Sequence, residues 1–139
     1  MSFTHQWQLR VRYGETDQMG FVYYGVYAQY YEVGRVEALR SLGIRYADIE
    51  RQYHIWLPVM SMQVRYLRPA RYDDLLTITT QIPELPNRAI RFRYEIHNEE
   101  GVLLNGAVVE LCFLDAASQK RVDAPPFILD PLLPYFVTP

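Results

Sequence analysis

One segment of the sequence has the pattern of a long buried helix, and this segment limits the possible folds. Between Tyr24 and Leu42, apolar or small residues recur at helical spacing in two neighbouring rows. An apolar surface this wide predicts a helix that is mostly buried by the rest of the fold. Gly34 costs about 1 kcal/mol relative to alanine inside a helix, and a close approach to a sheet would explain its presence. Gly43 suits the left-handed residue that ends a helix.

The remaining sequence is dominated by strand patterns. Apolar and polar side chains alternate with a period of two, which is typical of half-buried strands. The pattern predicts one helix on one antiparallel sheet, an α+β architecture in a single domain spanning residues 1–139. The tail after Lys120 carries five of the nine prolines, and we expect it to be mostly irregular. The predicted strands are Phe3–Tyr13, Val59–Leu67, Leu75–Ile82, Ala89–His97 and a central strand, Val102–Asp115.

Charge and composition argue against several classes of function. The net charge of −2 removes the usual electrostatic case for binding nucleic acid. No apolar stretch is long enough to span a membrane. The start of the sequence lacks the basic residues followed by an apolar run that are typical of a signal peptide. We therefore expect no membrane partner and a cytoplasmic location. The single cysteine, Cys112, excludes an intrachain disulfide framework, and we expect it to be a buried core residue.

Common catalytic motifs are also missing. No Gly-rich phosphate loop leads from a strand into a helix, and no Gly-x-Ser-x-Gly motif is present. The three histidines, His5, His54 and His97, lack the spacing of metal ligands. We expect neither a metal nor an organic cofactor.

The segment Thr16–Gly25 is the strongest candidate for chemistry. It places Asp17 in a predicted loop just before the helix begins. The first turn of a helix has unpaired N–H groups and a partial positive charge, so it can stabilise a developing oxyanion. A carboxylate a few residues upstream can act as a base or nucleophile on the carbon that bears this oxygen. Spacing alone favours a simpler interpretation, in which Asp17 makes a turn or caps the helix.

The run Tyr13–Tyr27 resembles the entry to the central helix of hotdog-fold acyl-CoA thioesterases. Its signature is Thr-Asp-x-x-Gly-x-Val-Tyr, and the closest group is the 4-hydroxybenzoyl-CoA thioesterase family, which includes the Tol-Pal-associated thioesterases. The resemblance extends from about Trp7 to Asp115 and includes Tyr31–Arg35 and Arg68–Asp74. It implies a hotdog fold, with a five-stranded antiparallel sheet wrapped around one long central helix. It also implies homodimers joined edge to edge, often paired into tetramers, with active sites at the subunit interface.

The resemblance assigns catalytic roles at the helix entry. Asp17 matches the family's catalytic carboxylate, while Tyr24 and Gly25 match the residues at the helix start. There, the backbone N–H of Tyr24 polarises the thioester carbonyl. This position is commonly His in the Tol-Pal-associated branch and Tyr in the hydroxybenzoyl branch. Glu32 is a rival, because a second hotdog branch uses a helical acid, but we expect it to be a structural partner of Arg35 or of a neighbouring strand.

Substrate-binding roles follow from the same resemblance. The nucleotide of CoA is assigned to Arg88, in a turn that is less basic here than in the family, with further arginines as candidates. Of those, Arg71 and Arg91 are more simply explained as surface charges. Pro58 and Val59 match residues that line the acyl pocket, and Tyr23 and Tyr27 are expected to shape it. Arg68 is expected to bind the CoA group.

The sequence therefore predicts an acyl-CoA thioesterase that forms a homodimer or homotetramer. Two alternatives remain open. An acyl carrier protein thioesterase on the same fold would explain the arginine-poor nucleotide turn, since that carrier has no adenosine phosphates to bind. A non-catalytic acyl-CoA-binding module is the other alternative, although an intact Asp17 beside a helix start argues against it.

Overall fold

Five long antiparallel strands curve around one helix in the computed structural model, which describes residues 1–137. Two short strands and two shorter helices complete the fold. Three 3-10 turns lie at Tyr13–Glu15, Tyr24–Val26 and Leu133–Tyr135. In chain order, the elements are β1 Phe3–Arg10, α1 Tyr27–Ser41, α2 Tyr46–Arg51, β2 Ile55–Trp56, β3 Val59–Tyr66, β4 Leu75–Ile82, β5 Ala89–His97, β6 Leu103–Asp115, β7 Arg121–Val122 and α3 Pro126–Leu132.

The sheet has the strand order β1-β4-β5-β6-β3, with every neighbouring pair antiparallel. This arrangement confirms the predicted five-stranded sheet around one helix and the central place of β6. The short strands β2 and β7 pair with the far end of β6. Both were missed, as was α2, because elements of two to six residues are too short to establish a period. No helix within residues 1–137 is both long and apolar enough to cross a membrane.

Helix α1 continues directly from the 3-10 turn at Tyr24–Val26, which confirms the predicted helical segment. A Cβ atom on Gly34 would lie 2.7 Å from Thr80 Oγ1 and 2.9 Å from Ile78 Cγ2. Both neighbours belong to β4, so the predicted close approach of helix to sheet is confirmed. Gly43 has a φ of +84°, as expected for the residue that ends the helix. The helix residues buried against the sheet are Tyr27, Tyr30, Tyr31, Gly34, Arg35, Ala38 and Leu39.

The tail after Lys120 is helical in part, so the prediction of a mostly irregular tail is wrong. Pro125 and Pro126 occupy the N-cap and first position of α3, where a proline loses no helical hydrogen bond. Ile128 and Leu132, one helical turn apart, are fully buried, and Phe127 stacks on Tyr53 with ring centroids 3.9 Å apart. The apolar residues of α3 therefore cover the core of their own chain.

Strand β3 departs from its predicted burial. Its apolar side chains were expected on a covered face, but Met60, Met62 and Tyr66 are 48%, 45% and 52% exposed. These side chains are exposed because β3 is an edge strand, while α1 packs mainly against β1 and β4, the two strands at the opposite edge of the sheet. The pattern in β1 also ends early, since Tyr13 lies in an exposed 3-10 turn. Cys112 is buried, as predicted.

The close contact at Gly34 generates a stability prediction. Gly34→Ala should lower the free energy of unfolding by about 1–3 kcal/mol, because the added methyl group meets β4 and the cost exceeds the gain in helix propensity. Chemical denaturation measures the change. Gly14→Ala is the matched control, since a Cβ there meets no atom within 4 Å, and it should change stability by less than about 0.5 kcal/mol. A stabilised Gly34→Ala variant would contradict the packing described here.

Candidate active site

The loop that carries Asp17 is a small hairpin folded on itself. Thr16 and Val22 form an antiparallel bridge, and the Asp17 amide donates to the Phe21 carbonyl at 2.8 Å. Gly20, with a φ of +81°, allows the tight reversal. Asp17 Oδ1 accepts hydrogen bonds from the amides of Met19 at 2.9 Å and Phe21 at 3.2 Å. The interpretation of Asp17 as a turn residue is thus confirmed for Oδ1, whereas Oδ2 accepts no hydrogen bond from residues 1–137.

The helix start follows immediately after this hairpin. Tyr23 is extended, with φ −60° and ψ 133°, and its carbonyl accepts the Val26 amide at 2.9 Å. The amides of Tyr24 and Gly25 donate to no acceptor within residues 1–137, as expected for the first turn of a helix. A Cβ on Gly25 would lie 2.9 Å from Tyr23 Cε2, so glycine lets the Tyr23 ring lie against the helix start. The Tyr23 and Tyr24 rings are neighbours, with centroids 4.8 Å apart.

The segment after β3 packs beside the Asp17 hairpin. Val22 donates its amide to the Ala70 carbonyl at 2.8 Å, and Phe21 forms a bridge with Arg71. The Arg71 guanidinium lies over the Phe21 ring, 5.0 Å from its centroid. Arg68, two residues before Ala70, is exposed, and its side chain forms no salt bridge with the described residues. The same end of the fold therefore holds the Asp17 hairpin, the helix start and the segment that carries Arg68.

Tyr27 lies in the core just beyond the helix start. Its side chain is 3% exposed, and its ring centroid is 5.7 Å from that of Tyr30 and 5.6 Å from that of Tyr66. Burial raises the pKa of the Tyr27 hydroxyl above its ordinary value. Tyr23, in contrast, is exposed. The assignment of both tyrosines to the acyl pocket stays a prediction, with Tyr66 as an exposed aromatic neighbour that the sequence analysis missed.

The other three predicted substrate-binding residues lie at the opposite end of the sheet. In the register of β3 with β6, Tyr66 pairs with Asn105, whereas Val59 pairs with Leu111. Val59 and Pro58 are therefore one strand length from Tyr66, or about 24 Å, and so is Arg88 at the start of β5. The Arg88 side chain pairs with Asp123 at 3.2 Å. Within one chain, Pro58, Val59 and Arg88 cannot meet Asp17.

The rival carboxylate Glu32 is exposed and forms no salt bridge within residues 1–137, so its predicted pairing is wrong. Arg35, its expected partner, is buried instead beside Tyr46 and Tyr94. Burial raises the pKa of both tyrosine hydroxyls, and the positive charge of Arg35 opposes that rise. Arg35 lies on the buried stripe of α1, four residues after Tyr31 and four before Leu39, so its burial follows the helical period and was missed.

Arg91 is held by two carboxylates, Glu110 at 2.8 Å and Glu84 at 3.3 Å, which confirms its interpretation as a surface charge. Residues 1–137 contain no group of three or more His, Cys, Asp or Glu side chains placed to hold a metal ion.

Glu15 was not singled out from the sequence, yet it has the largest set of side-chain hydrogen bonds around the Asp17 hairpin. Its carboxylate accepts hydrogen bonds from the Arg12 amide, the Arg12 guanidinium and the Tyr30 hydroxyl. Its carbonyl accepts the Tyr23 amide at 2.9 Å. The only sequence signal for this role is an acidic residue three positions after an arginine at a strand end.

Comparison with known proteins identifies the family. A model of the thioesterase superfamily matches residues 19–105. The chain belongs to the thioesterase superfamily. The match begins two residues after Asp17. The predicted family and the class of thioester hydrolase are confirmed.

Relatives and solved structures agree with this membership. Acyl-CoA thioester hydrolase YbgC of Escherichia coli O6:H1 is 35% identical over 115 residues, which cover 83% of this chain and 85% of that protein. The structure of DHNA-CoA thioesterase from Staphylococcus aureus is 32% identical, with a TM-score of 0.82 over 86% of this chain and 80% of that one. A 4-hydroxybenzoyl-CoA thioesterase mutant complexed with 4-hydroxybenzoyl-CoA shares the fold, with a TM-score of 0.84 over 94% and 99% of the two chains at 20% identity. The predicted hotdog fold is thereby confirmed.

Proposed function

We propose that this thioesterase, acting as a single domain, hydrolyses acyl-CoA thioesters to the free acid and CoA. The observation that carries the proposal is the neighbourhood of Asp17. Its Oδ2 accepts no hydrogen bond from the described chain, and the same short segment ends in the unpaired amides of Tyr24 and Gly25. A thioester carbonyl needs both groups, a base or nucleophile for its carbon and a donor for its oxygen.

Two routes use these groups. As a general base, Asp17 removes a proton from water while the water oxygen bonds to the carbonyl carbon. As a nucleophile, an Asp17 oxygen bonds to that carbon and forms an anhydride, which water then hydrolyses. In both routes the carbonyl oxygen gains negative charge beside the Tyr24 N–H, the C–S bond breaks, and the CoA thiolate takes up a proton.

Asp17→Asn tests the carboxylate. We expect turnover to fall about 10²-fold or more, because the amide is neither a base nor a nucleophile. The variant should fold, since the asparagine oxygen can accept the same two amide hydrogen bonds as Oδ1. Glu32→Gln is the comparison and should retain turnover, because Glu32 is eight residues beyond Tyr24, or about 12 Å along the helix. Normal turnover in Asp17→Asn with loss in Glu32→Gln would reverse the assignment.

The Tyr24 amide is tested by a pair of substitutions. Tyr24→Phe keeps the N–H and should change turnover little. Tyr24→Pro deletes the donor and should lower turnover about 10²–10³-fold, the usual effect of losing one oxyanion donor. Proline is tolerated at the first helical position, and the extended backbone of Tyr23 suits a residue before proline. Circular dichroism checks folding. If Tyr24→Phe is inactive and Tyr24→Pro is active, the phenol is the catalytic group.

We further propose a homodimer joined through β3. The strand has a free edge and exposed apolar side chains along it, and such edges favour pairing with another chain. Antiparallel pairing of β3 with its copy about a two-fold axis would place the partner's Val59 end beside Tyr66. That pairing would bring Pro58 and Val59 of one chain towards Asp17 of the other, which supports a site shared between subunits.

Light scattering tests this arrangement. The wild type should have at least twice the mass of the 16.4 kDa chain. Met62→Lys on β3 should shift it towards monomer and lower turnover, because the charge must be buried on pairing. The matched control is Trp7→Lys on the other edge strand, where the replaced side chain is 40% exposed against 45% for Met62. A wild type that is monomeric at micromolar concentration and fully active would refute the shared site.

An acyl carrier protein thioesterase is the second candidate. One observation favours it: the only arginine in the turn matched to nucleotide binding, Arg88, is already paired with Asp123. Rates of hydrolysis for one acyl group on CoA and on acyl carrier protein separate the two substrates. Acyl-CoA binding without hydrolysis would instead favour a non-catalytic module.

A further inference from the structure

Glu15 joins two parts of the fold through its carboxylate. Oε1 accepts the Arg12 amide at 2.8 Å and the Tyr30 hydroxyl at 3.0 Å. Oε2 accepts the Arg12 guanidinium at 3.0 Å through Nη2 and 3.3 Å through Nε. The side chain is 12% exposed. The residue therefore ties the end of β1, through Arg12, to the second turn of α1, through Tyr30.

The backbone of Glu15 also closes the hairpin that contains Asp17. Its carbonyl accepts the amide of Tyr23, the residue before Tyr24, at 2.9 Å. Asp17 is held within the hairpin by the amides of Met19 and Phe21, but those bonds fix it only relative to its own loop. Among the described residues, the Tyr30–Glu15 contact is the one side-chain hydrogen bond that joins this hairpin to α1.

The pKa shifts at this contact favour an ionised Glu15 carboxylate that accepts hydrogen bonds from Arg12 and Tyr30. Burial alone would raise the pKa of its carboxyl, but hydrogen bonds from Arg12 and Tyr30 outweigh burial and lower the pKa below its ordinary value. Burial and the Glu15 carboxylate both raise the pKa of the Tyr30 hydroxyl. Glu15 is therefore ionised and Tyr30 is a neutral donor at neutral pH, so the contact persists there.

We infer that Glu15 is a positioning residue, which sets the place of the Asp17 carboxylate relative to the helix-start amides of Tyr24 and Gly25. The inference rests on the roles proposed above for those groups. Attack on a thioester requires the carboxylate and the oxyanion donor to address one carbonyl at the same time. A misplacement of about 1 Å can cost about 10²-fold in rate, so a tie between loop and helix has direct kinetic consequences.

Steady-state kinetics test this role, with an acyl-CoA that the wild type hydrolyses as the substrate. Glu15→Gln removes the charge and the acceptor for the Arg12 guanidinium, and Tyr30→Phe removes only the bond to α1. Both should lower kcat about tenfold or more, with KM within about twofold, because neither change removes a substrate contact. The matched control is Glu37→Gln. Glu37 also pairs with an arginine three residues away, Arg40, and its side chain is 19% exposed.

The Asp17→Asn background separates positioning from general loss of structure. If Glu15 acts through Asp17, adding Glu15→Gln to Asp17→Asn should lower the residual rate by less than about twofold. Full additivity of the two losses, or an equal loss of kcat in Glu37→Gln, would overturn the inference. Tyr30→Phe leaves Glu15 paired with Arg12, so it keeps the test decisive if Glu15→Gln folds poorly.

Two patterns of kcat separate the positioning role of Glu15 from the catalytic role of Asp17. If Asp17→Asn keeps wild-type turnover, the proposed catalytic role of Asp17 is refuted, and the positioning role is refuted with it. If Asp17→Asn loses turnover while folded Glu15→Gln and Tyr30→Phe keep wild-type kcat, only the positioning role is refuted.

Discussion

The packing of α1 against β4 at Gly34 sets the position of the helix, and the candidate active site depends on that position. Because Gly34 has no Cβ, the helix backbone approaches Thr80 and Ile78 more closely than any other residue would allow. That contact fixes the helix axis against the sheet. The helix start then lies beside the end of β1, and the hairpin of Asp17 fills the short connection between them.

The hairpin itself is held mainly by polar contacts, and Val22 is its one fully buried residue. Asp17 is half-buried and Gly20 is exposed, so the rest of the hairpin contributes little to the core. Its shape depends on backbone hydrogen bonds within the loop, on Ala70, and on the carboxylate of Glu15. Hydrogen bonds of this kind fix the positions of the loop residues without burying them, which suits groups that must remain accessible to a substrate.

The helix and the five long strands were predictable because each repeats its apolar pattern over at least eight residues. Helix α3 was hidden by its prolines, although the spacing of Ile128 and Leu132 is that of a buried helical face. The exposure of Met62 was not predictable, since alternation shows which side chains share a face but not whether another layer covers it. The role of Glu15 was invisible for a different reason: its contact with Tyr30 joins residues 15 positions apart and leaves no period in the sequence.

The central claim is that the helix start binds the thioester carbonyl while Asp17 addresses its carbon. A crystal structure of the Asp17→Asn variant with an intact acyl-CoA bound tests it most directly. The account predicts the carbonyl oxygen about 2.7–3.1 Å from the Tyr24 backbone nitrogen, with the substituted side chain next to the carbonyl carbon or to a water beside it. A thioester bound with its carbonyl oxygen away from the helix start, and with the Tyr24 amide facing solvent, would contradict it.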